Sequence, residues 1–345
     1  MSKKSQHTSF IQEYRLSVLA GIIALSLVCG YIMGMSIQKS RYAHFLSSFK
    51  NIREDSDKYK FINPLIGTVS PPATDVDIFS DIKSDIVSYL AKEKKEGSLY
   101  DYSFYFRDLG TGLWFGAHED ADFSPASLFK LPVAIAVYKQ AESDSAFLKK
   151  LVVYTKELDD MNNSATSNAE SVLVIGKAYT IEELVLLMIV DSDNGAKNLL
   201  LASIDISYLD NLFTAVSLAS PSQSTVYSIS SRKYAHFLRA LYGSSYLNEE
   251  HSEFILSILS QTTFKDGLVA GLPKGMSVAH KYGTYQFEEM INGEKMSTEQ
   301  LHDCGVVYHK ENPYIFCFMT KGKDLKNLYR IISHVSSLVY KSQEK

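Results

Sequence analysis

FSPASLFKLPVAIAVY, residues 123–138, carries a polar, proline-containing entry into an apolar run. The run predicts a buried helix over Leu131 to Ala141, with Ser127 and Lys130 at its start. Residues three apart on a helix share a face, which brings the Lys130 amine within reach of the Ser127 hydroxyl. A serine hydroxyl is a weak nucleophile until a neighbouring base takes its proton, and a partly desolvated lysine of lowered pKa can be that base. The helix start adds backbone N–H donors beside the serine. Read alone, the same S-x-x-K is also an ordinary helix-start serine followed by a solvated lysine.

Working outward, Ile78, Ile82, Ile86 and Leu90 recur every four residues and predict a helix that ends before Gly97. Ser103 to Asp108 and Leu113 to His118 read as two strands of a hairpin. From Ser127 to about Leu259 the signals are mainly helical, including Ile181 to Val190 and Ala196 to Ala202. Strand signals return at Ser277 to Tyr285, Cys304 to His309 and Tyr314 to Thr320, before a closing helix with Leu325, Leu328, Ile332, Val335 and Val339 on one face. That order predicts an α+β domain: an antiparallel sheet assembled from both ends of the chain, with a helical lobe inserted between them. Chemistry is expected where the two lobes meet.

Two further motifs fall at that junction. Ser192-Asp193-Asn194 follows the apolar helix, and its plain alternative is a helix cap, for which all three residue types are favoured. His280-Lys281-Tyr282-Gly283-Thr284 lies on a predicted strand, where glycine permits close approach of a ligand and lysine attracts a carboxylate; a solvated edge strand is the alternative.

S-x-x-K at 127–130, S-D-N at 192–194 and K-x-G at 281–283 together resemble the active-site set of the class A β-lactamases and low-molecular-weight penicillin-binding proteins. The stretches ASLFKLPV, GLVAGLPKGMSVAHKYGTY and LHDCGVVYHKENPYIFCFMT are also similar to the corresponding segments, so the likeness runs from about residue 76 to 342. It implies a β-lactamase-like two-lobed fold, a five-stranded antiparallel sheet flanked by helices with an inserted all-helical lobe. It implies Ser127 as acyl-enzyme nucleophile and Lys130 as its activator. Ser192 would pass a proton to the leaving nitrogen with Lys281 assisting, and Asn194 would hold a substrate amide. Backbone N–H groups of Ser127 and Thr284 would form an oxyanion hole, with Thr284, Gly283 and Tyr282 at the substrate carboxylate. The implied substrate is a β-lactam or a D-alanyl stem peptide of peptidoglycan, with no cofactor.

The chain departs from that pattern twice. Tyr282 replaces a small hydroxyl residue, and no glutamate occurs between Gly195 and Asn248, where the class A enzymes carry the residue that activates the deacylating water. Asp205 and Asp210 are the only acids there. Slow deacylation is therefore expected, and a catalytically silent protein that binds cell-wall peptide or a partner is the second reading.

Composition narrows the rest. The 345 residues are 46% hydrophobic with 35 basic against 39 acidic side chains, so a core can form and no positive field exists to hold nucleic acid. Nine histidines are scattered without an H-E-x-x-H, and no metal site is expected. Leu16 to Ile37 is an uncharged run of 22 residues, long enough as a helix to cross a bilayer. The expected layout is a tail (1–15), a transmembrane anchor (16–37), a stalk (38–75) and a hydrolase domain (76–345) outside the cytoplasm. Gly30 and Gly34 form a GxxxG that would permit a weak homodimer. Cys304 and Cys317 fall on adjacent strands, and the register decides between a disulfide and two buried thiols.

Overall fold

The computed structural model describes Leu25, Ser26, Val28, Cys29, Gly30, Tyr31, Met33, Met35, and residues 59–63, 77–157, 171–221, 227–291 and 294–344. The chain divides into two units, residues 1–50 and 51–345. In the first, the eight described positions are helical and exposed. Most of the anchor expected at 16–37 lies outside the described residues, with Gly34 and the tail. Among the described residues no helix is long and apolar enough to cross a membrane.

The second unit is built on a sheet of β1 (Leu99–Asp108), β2 (Trp114–Ala117), β5 (Val278–Ile291), β6 (Glu294–Val307) and β7 (Tyr314–Gly322), in the order β2-β1-β7-β6-β5. Neighbouring strands are antiparallel throughout. One face carries α1 (Ser80–Lys95) and α8 (Leu325–Gln343) over an aromatic-rich core that includes Phe104, Phe106, Phe316 and Phe318. In α1 the four-residue spacing buries Ile82, Ile86 and Leu90. The helix then stops at Gly97, whose φ of +74° lets Gly97 and Ser98 return their N–H groups to Lys94 and Glu93. Arg330 of α8 clasps Glu93 of α1 with two hydrogen bonds of 2.6 and 2.5 Å, tying these two helices together over the sheet.

The other face packs on the inserted lobe. Its α-helices are α2 (Lys130–Ser143), α3 (Ile181–Val190), α4 (Asn194–Ser203), α5 (Ser207–Ala215), α6 (Ser231–Tyr242) and α7 (Glu249–Leu259). The second core spans this lobe and the sheet face that bears Cys304 and Cys317. Buried from Leu131 through Tyr138, α2 is the lobe's central post, which explains its apolar sequence on all sides.

Three expectations need correction. The lobe is not all-helical: β3 (Leu151–Val153) and β4 (Ala178–Thr180) form a separate two-stranded sheet, and Thr180 then caps α3 through a reciprocal box with Glu183. The 38–75 stretch is not wholly a stalk. Phe61 and Ile62 are buried in the lobe's core, the N–H groups of Lys60, Phe61 and Ile62 donate to the Glu253 carboxylate, and Asn63 N–H donates to the Tyr242 carbonyl. Finally, β5 and β6 run far beyond their predicted ends, paired from Val278↔Val307 to Ile291↔Glu294, whereas β7 pairs β6 only as far as Glu299↔Gly322. The outer hairpin is polar, so apolar alternation fades there. The better cue was Asn292-Gly293, a favoured hairpin turn pair that itself lies outside the described residues.

The register puts Cys304 directly opposite Cys317 with Cα atoms 4.0 Å apart, and the two form a disulfide.

Candidate active site

Ser127 lies on a 3₁₀ turn, Ala126–Phe129, that feeds into α2, rather than on the α-helix itself. Its neighbour Ala126 has φ +47°, in the left-handed region that non-glycine residues seldom enter. Such a conformation costs about 1–3 kcal/mol and persists only where the surroundings hold it, a pattern concentrated at functional sites.

Lys130 opens α2 and is almost fully buried. Its amine donates to the Ser192 carbonyl and, at 3.1 Å, to Ser192 Oγ. The expected contact between Lys130 and the Ser127 hydroxyl is absent, and among the described residues nothing hydrogen-bonds that hydroxyl. The reason is local: the lysine stem runs across to the loop between α3 and α4, where two oxygens of one residue are presented to it.

That loop joins a cap to a half-buried hydroxyl. Asp193 is the cap, accepting from Ala196 N–H at 2.7 Å, from Val172 N–H at 2.7 Å and from the Ser171 hydroxyl. Ser192, with φ +58°, is turned away from the capping job and toward the lysines. Lys281 donates to the same Ser192 Oγ at 2.9 Å and to the Tyr282 carbonyl at 3.2 Å. Within Ser-Asp-Asn the cap is thus Asp193, while Ser192 receives the two lysines.

β5 is an edge strand, and its free edge runs past the Ser127 turn. At Gly283 a Cβ would meet Ser127 N at 2.9 Å and Ala126 Cβ at 3.2 Å. The glycine therefore admits the Ser127 backbone, where a ligand was expected. Strand alternation points Tyr282 to the opposite face from Lys281. Tyr282 stacks on Phe264 with ring centroids 4.0 Å apart and does not line the cavity, which corrects its expected place beside the substrate carboxylate. Lys281 Nζ sits 4.5 Å from the Tyr282 ring centroid, a cation–π contact.

A cavity of about 370 Å³ brings Ser127, Lys130, Asn194 and Thr284 together, with Phe129 and Tyr227 as aromatic wall. Sequence reasoning missed two of its polar residues, Lys197 and Asn198. Their signal was available, since positions three and four beyond Asn194 share its helix face. Among the described residues no lining residue is acidic. Asp205 accepts from Ser207 N–H and Asp210 from the Ser220 hydroxyl, and neither lines the cavity.

Electrostatics follow from the lysines gathered there. Burial first, then repulsion from Lys281 and Lys197, lowers the Lys130 amine to about pKa 6 against a weaker pull from Asp193. Burial lowers Lys281 to about 7, opposed by Asp303, and burial also lowers Lys197. Asp303 is fixed beneath β5 by His280 Nδ1 at 2.7 Å and by Leu268 N–H at 2.9 Å. Among the described residues no group of three or more His, Cys, Asp or Glu side chains is gathered to hold a metal ion.

A shared-serine lysine pair beside a strained serine turn, at the edge of a five-stranded antiparallel sheet, defines a β-lactamase-like class of protein. The chain belongs to the beta-lactamase enzyme family, whose profile matches residues 82–343. Among solved structures it is similar to the L158E mutant of PBP-A in an acyl-enzyme complex with penicillin G, at 22% identity over 80% of this chain and 99% of that one, TM-score 0.64. A β-lactamase from Xanthomonas campestris pv. campestris matches at 17% identity over 76% and 98%, TM-score 0.63. A variant of the last common ancestor of Gram-negative bacterial class A β-lactamases matches at 23% identity over 75% and 98%, TM-score 0.61. Compared with curated protein sequences, the chain has no match.

Proposed function

We propose that the protein is a serine hydrolase that forms an acyl-enzyme on Ser127, with a β-lactam or D-alanyl peptide as acyl donor. The supporting observation is the single hydroxyl of Ser192, held 3.1 Å from Lys130 and 2.9 Å from Lys281 beside the cavity that contains Ser127. A Lys130 amine with pKa near 6 is largely neutral at pH 7 and can take the Ser127 proton. The Ser127 Oγ–carbonyl bond forms, the carbonyl–nitrogen bond breaks, and the proton moves from Lys130 through Ser192 to the departing nitrogen. Lys281 keeps the Ser192 oxygen electron-poor during that transfer. Backbone N–H groups of Ser127 and Thr284 stabilise the developing oxyanion, an interaction typically worth ~3–4 kcal/mol per donor. Asn194, at the start of α4 in the cavity wall, holds the substrate amide.

Release of the acyl group then needs water activated without a carboxylate, because the described residues of the cavity lining include none. The protein accordingly acylates faster than it deacylates. The PBP-A L158E mutant, seen as an acyl-enzyme complex with penicillin G, supports the acylation step by analogy. Full-length protein treated with a fluorescent penicillin acquires a mass adduct on Ser127 that Ser127→Ala abolishes; absence of both adduct and nitrocefin turnover would leave only the silent-binder reading.

Residues 16–37 anchor the chain in the cell membrane with the hydrolase unit outside the cytoplasm, supported by 22 uncharged residues. Retention in the membrane pellet after alkaline carbonate extraction is the expected result, and release would remove the anchor.

A further inference from the structure

We propose that Lys197 makes the acyl-donor side of the cavity a binding site for a second carboxylate, so that the preferred substrate carries an anionic group on the acyl part as well as the carboxylate beside the scissile amide. The inference rests on the acyl-enzyme reading above and specifies its substrate class.

Three observations carry it. Asn194, Lys197 and Asn198 occupy one face of α4 and line the cavity that contains Ser127. Lys197 is half-buried, and among the described residues no carboxylate or other acceptor pairs with its ammonium. Among the described residues the lining holds two lysines, Lys130 and Lys197, and no acid.

A half-buried cation without an acceptor loses hydration and gains nothing in return, so its native state is costly unless a ligand supplies the missing charge. Lys130 has the two oxygens of Ser192; Lys197 has no equivalent. Lys197 also repels Lys130, and a bound carboxylate would offset that repulsion at the residue the chemistry uses. The neighbouring Asn194 and Asn198 supply amides suited to a peptide bond, and Phe129 and Tyr227 an apolar wall for a side-chain stem. An acyl side chain with an amide, a short apolar stem and a terminal carboxylate fits those groups.

Benzylpenicillin and carbenicillin test this, since they differ by one carboxylate on the acyl side chain. Second-order rates of Ser127 adduct formation are measured by mass spectrometry for the full chain and for Lys197→Met and Lys197→Arg. The readout is the carbenicillin-to-benzylpenicillin ratio, in which any general loss of reactivity cancels. A charge-assisted contact predicts a ratio about tenfold higher in the wild type than in Lys197→Met, with Lys197→Arg retaining most of it. Equal ratios in wild type and Lys197→Met, with both compounds forming adducts, would overturn the carboxylate site and leave the hydrolase reading intact. Adducts from neither compound on the wild type would overturn both.

Discussion

Lys130 binds Ser192 through two atoms, the backbone carbonyl and the hydroxyl, the latter at 3.1 Å. The residues are 62 positions apart, and the contact joins the serine turn at the head of α2 to the loop between α3 and α4. Lys281, from the sheet, completes the junction on the same oxygen at 2.9 Å. One hydroxyl therefore reports on three parts of the chain at once.

Acylation of Ser127 should show a narrow bell against pH. The reaction needs Lys130 neutral, so its rate rises as pH passes about 6, and it needs Lys281 charged, so the rate falls as pH passes about 7. Both limbs belong to the coupled pair. Stopped-flow acylation from pH 4 to pH 10 checks this; a rate still climbing at pH 9 would remove Lys281 from the charge argument.

Lys281→Met should raise stability while abolishing acylation. The folded amine titrates near 7 and the unfolded one near ~10.4, so between those values the unfolded chain binds more protons and wild-type stability rises with pH. The cost of burying the charge is fully present below pH 7 and disappears as pH approaches the unfolded value. Thermal melts should place the variant above wild type by several degrees at pH 6, with the gap closing toward pH 10.

Ser192→Gly separates strain from chemistry. Glycine accepts the φ of +58° without penalty, which offsets part of the cost of taking an acceptor from two buried amines, so the melting temperature should fall by no more than a few degrees. Loss of the hydroxyl between the lysines should cut acylation by roughly 100- to 10,000-fold. A variant with near-normal acylation would show that the proton travels another way.

Gly283→Ala should damage the site from behind. Its Cβ meets Ser127 N at 2.9 Å and Leu128 N at 3.2 Å, both backbone atoms that cannot rotate aside. The turn must shift, at a cost of ~1–3 kcal/mol in stability and about 100-fold in acylation. Unchanged kinetics would mean that Ser127 tolerates displacement of its turn.

The Cys304–Cys317 disulfide makes a simple chemical forecast. Of the three cysteines in the chain, only Cys29 should take up iodoacetamide in denaturant before reduction, and all three after it. A bridge over 13 positions contributes ~3 kcal/mol, so the Cys304→Ser and Cys317→Ser double variant should melt lower by several degrees. Because Cys304 pairs with Lys281 across β5 and β6, acylation should weaken with it.

The order of elements was legible because it depends on neighbours in the chain. The four-residue repeat of α1, the apolar run of α3 and the facing stripe of α8 are local patterns, and each yielded a helix near its expected ends. The three motifs were legible for the same reason, as short words whose order resembled one family's. Less could be read where the outcome depended on contacts between distant segments. A strand's register is a relation between two segments, and it made Cys304 face Cys317, while the packing of a loop against β5 set Tyr282 onto Phe264. The Lys130 stem could reach either of two serines, and the packing of α3 and α4 against α2 presented Ser192. Lys197 had no motif to mark it, and it became part of the cavity only when α4 folded with that face toward Ser127. Local sequence sets which residues are available to the chemistry; the long-range packing of helix, loop and edge strand sets which of their atoms come within bonding distance, because charge and hydrogen bonding act over ångströms and take no account of position along the chain.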